Sequence, residues 1–175
     1  GSLEVVTQVE SLFVSKLAGD YSRFTAAEVL VETADRLVAE EGSPSLQQYR
    51  LLAGALRALE DPDRPYPLVV DSYLLRSMAV AGYAVATTRC AACNSPAVKW
   101  FSPQGGGAVC AGCKTSGSTP LEGTAAAHLG ALLAGDWAVA KATERGTARR
   151  VDAMVVAYAT WHLDRALRSL PYFER

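Results

Sequence analysis

Hydrophobic and polar positions change period twice along the chain. Over residues 3–10 the order Leu-Glu-Val-Val-Thr-Gln-Val-Glu puts Leu3, Val5, Thr7 and Val9 on one face, and this β-branched alternation predicts a strand. After Asp20 the period is helical. Thr25-Ala-Ala-Glu28 has the form of a capping box, and Val29, Leu30, Ala34, Leu37 and Val38 follow at helical spacing as far as Gly42. Ser43-Pro44 opens a second predicted helix, since proline suits a first turn, with Leu46, Tyr49, Leu52, Leu56 and Leu59 on its stripe. The proline-dense stretch 61–67 cannot continue it and reads as a surface crossing. A third helix is expected from about 68 to 81, ending at Gly82.

The helical period returns late. Residues 124–133 form a short Ala/Leu helix, Asp136 caps another across 137–143, and 149–170 is expected as one long helix. Its buried stripe would be Val151, Val155, Tyr158, Leu163, Ala166, Leu167 and Leu170. Between these helical regions, 87–120 holds all four cysteines, a Gly105-Gly106-Gly107 turn and the candidate strands 99–101 and 107–109. The expected fold is therefore mainly α, a helical bundle interrupted by a small β insertion, with an orphan strand in front.

Composition adds exclusions. The chain has 175 residues, 50% hydrophobic and 20% charged, which suits a compact fold with a sizeable core and excludes a disordered solvating chain. Gly1-Ser2 reads as an expression scar. No apolar run reaches the roughly 18 residues of a membrane span and no signal peptide is visible, so a cytoplasmic protein without membrane contact is expected. The net charge of −1 speaks against a globally basic nucleic-acid binder, but it is a sum over unlike halves. Residues 1–86 carry 12 acidic and 7 basic side chains, residues 87–175 carry 6 and 10.

Cys90-Ala-Ala-Cys93 and Cys110-Ala-Gly-Cys113 are two C-x2-C pairs separated by sixteen residues, the spacing of a four-cysteine structural zinc site. Two residues between sulfurs let a tight turn aim both at one ion, and two such knuckles complete a tetrahedron. One Zn²⁺ in a zinc ribbon is the expected cofactor. Three other uses of the thiols compete with it. A redox dithiol needs one such pair at a helix start, structural disulfides suit an oxidising compartment, and a catalytic zinc needs an open position. His128 and His162 lie outside the cysteine segment and read as structural histidines. No nucleophile triad, no H-x-E beside the cysteines and no phosphate-cradling G-x-x-x-x-G-K is present, so no catalytic residue is assigned.

Cations supply the remaining candidates. Arg89, Lys99 and Lys114 flank the knuckles, where four thiolates on one Zn²⁺ leave a local charge of −2 for them to offset. Arg145, Arg149 and Arg150 cluster at the start of the long helix, where cations oppose the macrodipole, a conflict that marks a phosphate or acidic-peptide site or else an ordinary solvated surface. Arg165 and Arg168 lie near its end. Trp137 and Trp161 fall on helical segments and are expected to pack, whereas Trp100 and Phe101 are more open to a binding role.

The cysteine pairs, the Thr7-Gln-Val-Glu10 strand, the helix Tyr49-Arg-Leu-Leu-Ala-Gly-Ala-Leu-Arg-Ala-Leu59 and the segment from Trp161 to Leu170 together resemble the C-terminal part of the recombination mediator RecO family in its actinobacterial form. The resemblance implies that 3–10 is the remnant of an OB-fold barrel that has been removed, 11–86 and 121–175 the two parts of a helical domain, and 87–120 the zinc ribbon. It implies Cys90, Cys93, Cys110 and Cys113 as metal ligands. It also implies a nucleoid-associated role in recombinational DNA repair: binding single- and double-stranded DNA, annealing strands, and loading RecA with RecR. The family's site for the acidic, phenylalanine-ended tail of single-strand-binding protein needs an apolar pocket with a basic rim, for which the two arginine clusters are the candidates. The alternative is a zinc-stabilised protein-interaction module with no direct DNA contact.

Overall fold

The computed structural model of the chain describes Thr7, Gln8, Glu10 and residues 17–38, 45–163 and 165–174. Most of the strand expected over 3–10, the boundary at Gly42 and Ser43-Pro44, and Arg175 lie outside the described residues. The helices are α1 (Tyr21–Leu37), α2 (Leu46–Glu60), α3 (Tyr66–Val80), α4 (Ala125–Ala134), α5 (Trp137–Ala142) and α6 (Arg145–His162). Strands β1 (Val98–Ser102), β2 (Gly107–Cys110) and β3 (Thr119–Pro120) sit between α3 and α4, and short 3-10 turns occupy Leu17–Gly19 and Leu170–Tyr172. The architecture is mainly helical with a small antiparallel sheet, as the periodicity predicts.

Helix α3 is the axis of the bundle. Val69, Val70, Tyr73, Leu74, Leu75 and Met78 are all buried on it, because α1, α2, α4 and α6 pack around it and leave no polar stripe. The hydroxyl of Ser72 donates to the Leu132 carbonyl at 2.7 Å, so this near-apolar helix is also tied to α4 by hydrogen bonding. Proline marks its start about two residues earlier than expected: Tyr66 and Pro67 belong to the first turn, where the missing amide costs nothing, and the crossing shrinks accordingly.

The cap of α1 differs from the reading of Thr25. The helix begins at Tyr21 with Asp20 as N-cap, whose carboxylate accepts from the Arg23 amide at 3.1 Å. Thr25 lies inside the helix and its hydroxyl donates to the Ser22 carbonyl. Tyr21 and Phe24 are exposed, so the apolar period does not mark the start. In α2 the inward register is set by Gln48, whose side-chain amide donates to the Ser77 carbonyl at 2.9 Å, leaving Leu46 and Tyr49 of the expected stripe exposed.

The last long helix is displaced toward the N-terminus. It begins at Arg145, where the Glu144 carboxylate accepts from the amides of Gly146 (2.7 Å) and Thr147 (2.9 Å). It ends at His162 rather than at 170. Arg149 and Arg150 therefore stand in its second turn, past the capped end, and the expected conflict with the helix dipole does not arise at them. Beyond α6 the chain crosses α1, because the amides of Arg168 and Ser169 both donate to the Glu32 carboxylate. Leu167 and Phe173 are buried in this crossing, while Ala166 of the predicted stripe is exposed.

The sheet order is β2-β1-β3, with Phe101 opposite Ala108 on one side and Thr119 on the other. Phe101 is fully buried 6.1 Å from the Tyr158 ring of α6, in the same apolar cluster as Leu129, which overturns its reading as an open binding residue. Gly107 pairs with Ala86 and has φ +114; a Cβ there would lie 2.5 Å from the Ala86 carbonyl oxygen. Only glycine fits that approach.

Candidate functional site

Two turns carry the cysteines. Asn94, the non-glycine residue with positive φ among those described, follows the first pair and closes its turn with a backbone bond from its amide to the Cys90 carbonyl at 2.8 Å. Arg89 braces the same turn, its guanidinium donating to the Asn94 carbonyl at 3.0 Å. The second pair leaves the end of β2, with the Cys113 amide bonded to the Cys110 carbonyl.

These turns bring all four Sγ atoms within 4.8 Å of one another, none of them in a disulfide. Cys93 Sγ and Cys110 Sγ are 3.7 Å apart. A tetrahedral ion with metal–sulfur bonds of about 2.3 Å puts its sulfurs about 3.8 Å apart, so the constellation is the size of one ion's ligand shell. Amides are aimed at the sulfurs as well. The amide of Cys110, and then those of Cys93 and Ala92, hold the Cys90 thiol down to about 6. Hydrogen bonds from Cys110, Cys93 and Cys90 push Cys113 up to about 12, since neighbouring sulfurs cannot all ionise without a cation between them. The four cysteines are positioned to hold a metal ion. Donor chemistry favours a soft or borderline divalent ion, and four sulfurs leave no open position.

The predicted cations are placed less uniformly. Lys114 lies with its Nζ 4.3 Å above the Trp100 ring, a cation–π contact on the exposed side of the sheet, and Lys99 is exposed on β1. Arg145, Arg149 and Arg150 are exposed on α6, with Arg150 donating to the Thr147 hydroxyl at 3.0 Å. Arg165 and Arg168 line a cleft together with Glu32, Asp35 and Arg36, so that cleft is of mixed sign. Trp161, expected to pack, is 52% exposed.

A further groove was not found from sequence. It lies between α2 and α3, closed at one end by Trp137, with a volume of about 670 Å³ and a floor of Leu51, Ala55, Val69, Tyr73 and Leu133. Its charged residues are Arg50, Arg64 and Arg76, and no carboxylate lines it. Arg64 is paired with Asp61 at 3.0 Å and stacks over the Trp137 ring at 5.3 Å, whereas Arg50 and Arg76 have no ion pair among the described residues. The sequence signal was the second face of α2: Arg50, Gly54 and Ala58 recur every four residues, and the small side chains leave the space that the groove occupies.

The sequence matches the family described as "Recombination protein O C terminal" over residues 18–171. The chain belongs to the RecO family. It is 47% identical over 180 residues to a protein of Nocardioides sp. named DNA repair protein RecO, the match covering 99% of this chain and 74% of that protein. The protein of the same name from Cutibacterium acnes is 45% identical over 181 residues, covering 99% and 74%. The one from Frankia casuarinae is 42% identical over 177 residues, covering 99% and 73%. The chain is thus the C-terminal domain of a DNA-repair protein, and the family match spans the cysteine cluster, the arginine groove and α6 alike. Among the described residues of this RecO domain no helix is long and apolar enough to cross a membrane.

Proposed function

We propose that this RecO domain is a non-catalytic docking unit of a recombination mediator, and that the groove between α2 and α3 receives the acidic, phenylalanine-ended tail of single-strand-binding protein. The observation that carries this is the groove itself: an apolar floor able to take a terminal aromatic ring, with Arg50 and Arg76 at its rim without an ion pair, and no carboxylate in its lining, among the described residues. This moves the peptide contact away from the arginine clusters near residues 145–150 and 165–168. The second of these is partly neutralised by Glu32 and Asp35.

One Zn²⁺ on Cys90, Cys93, Cys110 and Cys113 completes the domain. Bound there, it supplies cross-linking rather than reactivity, since four sulfurs saturate it. The ribbon over 87–120 braces the two helical parts, 11–86 and 121–175. In this reading the intact protein works in the cytoplasm at the nucleoid, binds single- and double-stranded DNA, and joins RecR in loading RecA onto strands freed of single-strand-binding protein.

The test is a titration of the chain with a fluorescent peptide of mixed acidic residues ending in phenylalanine. Arg50→Ala with Arg76→Ala is expected to weaken binding at least tenfold, with unchanged zinc content and circular dichroism. Equal affinity in the double variant removes the peptide from the groove.

A further inference from the structure

A tryptophan left half-exposed on a rigid helix needs a reason, because its ring buries more apolar area than any other side chain when it packs. Trp161 stands on the last turn of α6, and that turn is held firmly. The neighbouring His162 ring is packed at a tilt between Tyr83 at 4.7 Å and Tyr158 at 4.4 Å, with the Pro103 carbonyl beside it. Trp161 and Pro103, the latter in the turn joining β1 and β2, form the walls of an open cleft of about 620 Å³ whose base is Ala157 and Thr160. An aromatic face, a small-residue base and a proline wall make a slot for a flat ring.

The outer surface of α6 leads from this slot to the arginines. The exposed residues Arg145, Arg149, Ala153, Ala157 and Trp161 follow one another at four-residue steps in a row that winds about 120° around the helix from Arg149 to Trp161, while Arg150, eleven residues before Trp161, lies nearest to its face. From Arg149 to Trp161 the helix rises about 18 Å, the span of a few nucleotides of an extended strand. Alanines keep the middle of the row low. Arg145 and Arg149 have no ion pair among the described residues, and the carboxylate of Glu144, which precedes them, is spent on the helix cap.

We propose that this face of α6 is a site for single-stranded nucleic acid, in which a base stacks on Trp161 against Pro103 and the preceding phosphates lie along Arg149 and Arg150. The proposal rests on the reading of the chain as a DNA-repair domain and adds to it a location separate from the peptide groove. An aromatic platform joined to exposed arginines is the arrangement that binds single strands without reading their sequence, since every base offers a π-face. A duplex, whose bases are already stacked, would use the arginines alone.

The experiment is fluorescence anisotropy of the chain with a labelled oligothymidylate of about 15 nucleotides and with a hairpin duplex, at several salt concentrations. Trp161→Ala is expected to weaken single-strand binding fivefold or more and leave duplex binding unchanged. Arg149→Ala with Arg150→Ala is expected to weaken both and to lower the single-strand salt slope by about 1.4. Trp161→Phe keeps most of the affinity but loses the tryptophan quenching seen on oligonucleotide addition, a signature that a merely structural tryptophan would not give. Each variant is checked for unchanged zinc content and acidic-peptide affinity. Single-strand binding by Trp161→Ala equal to that of the parent overturns the site and leaves the peptide-groove reading standing. Absence of oligonucleotide binding by a parent chain that still binds the peptide overturns it too. Trp161-dependent self-association with unchanged oligonucleotide affinity would assign the face to a second copy of the chain instead.

Discussion

Glu32 on α1 receives the Ser169 side chain and backbone together: the hydroxyl donates at 2.6 Å and the amide at 2.9 Å across 137 residues of sequence. The Arg168 amide and the Arg36 guanidinium complete its shell. One carboxylate therefore closes the segment beyond α6 onto the first long helix.

Acid should release this clasp. Burial pushes the Glu32 carboxyl up, but the bonds from Ser169, Arg168 and Arg36 together outweigh it and hold the group at about 2, against an ordinary 4.5. A carboxylate whose folded value is depressed gives stability that is complete above 4.5 and is lost as pH falls from there through about 2. Glu32→Gln should cost about 1–3 kcal/mol at pH 7 and reduce the acid lability of the protein below pH 4.5. Urea denaturation at pH 7 and pH 3.5 checks both, and equal losses at the two values would contradict the linkage.

His128 titrates in a higher window. It is buried on α4 with neither ring nitrogen hydrogen-bonded among the described residues, and burial lowers its value from 6.5. The folded state thus excludes a proton that the unfolded chain accepts, so stability should decline as pH drops below 6.5. His128→Leu, of similar volume and without orphaned nitrogens, should match or exceed the parent at pH 8 and flatten the decline between pH 6.5 and 5.5. Melting temperatures across that interval measure it.

Gly107→Ala is expected to be among the most damaging single-methyl changes in the molecule. The new Cβ would meet the Ala86 carbonyl oxygen at 2.5 Å on a backbone already at φ +114, where an L-residue is strained. A loss of roughly 2 kcal/mol or more is expected by equilibrium unfolding. Gly112→Ala, with nothing within 4 Å of the added carbon, serves as the control.

Those contacts show what the sequence could and could not reveal. Local signals were legible: the C-x2-C pairs give their own geometry, Asp136 caps α5 as its type demands, and apolar period places α3 and α4. Boundaries set by distant partners were not. α6 stops at His162, and Glu32 captures Arg168 and Ser169 in the non-helical segment beyond it, while α2 turns Gln48 inward because a carbonyl of α3 is waiting there. The arginine groove is likewise a property of two helices side by side, so neither stripe announces it alone. Trp161 and Phe101 exchanged their expected places for one reason: the sheet docks on α6 through Phe101, and α6 ends before its last turn can be covered.

Docking through Phe101 also decides how metal loss should spread. With the proposed zinc bound, elemental analysis should give about one zinc per chain, and chelation should remove binding energy on the order of 10 kcal/mol from the ribbon. Phe101 lies in β1 one residue after Trp100, yet it belongs to the apolar cluster that contains Tyr158 and Leu129. Loss of the ion should therefore raise amide exchange first at 90–120 and next in the Tyr158 turn of α6, before α1 and α2 respond. Phe101→Ala should cost about 3–5 kcal/mol and uncouple the two, so that chelation then leaves α6 exchange unchanged. Hydrogen exchange of both forms with and without chelator measures the difference. Simultaneous opening of α1 and α6 in the parent would show that the metal supports the whole bundle rather than the sheet that leans on it.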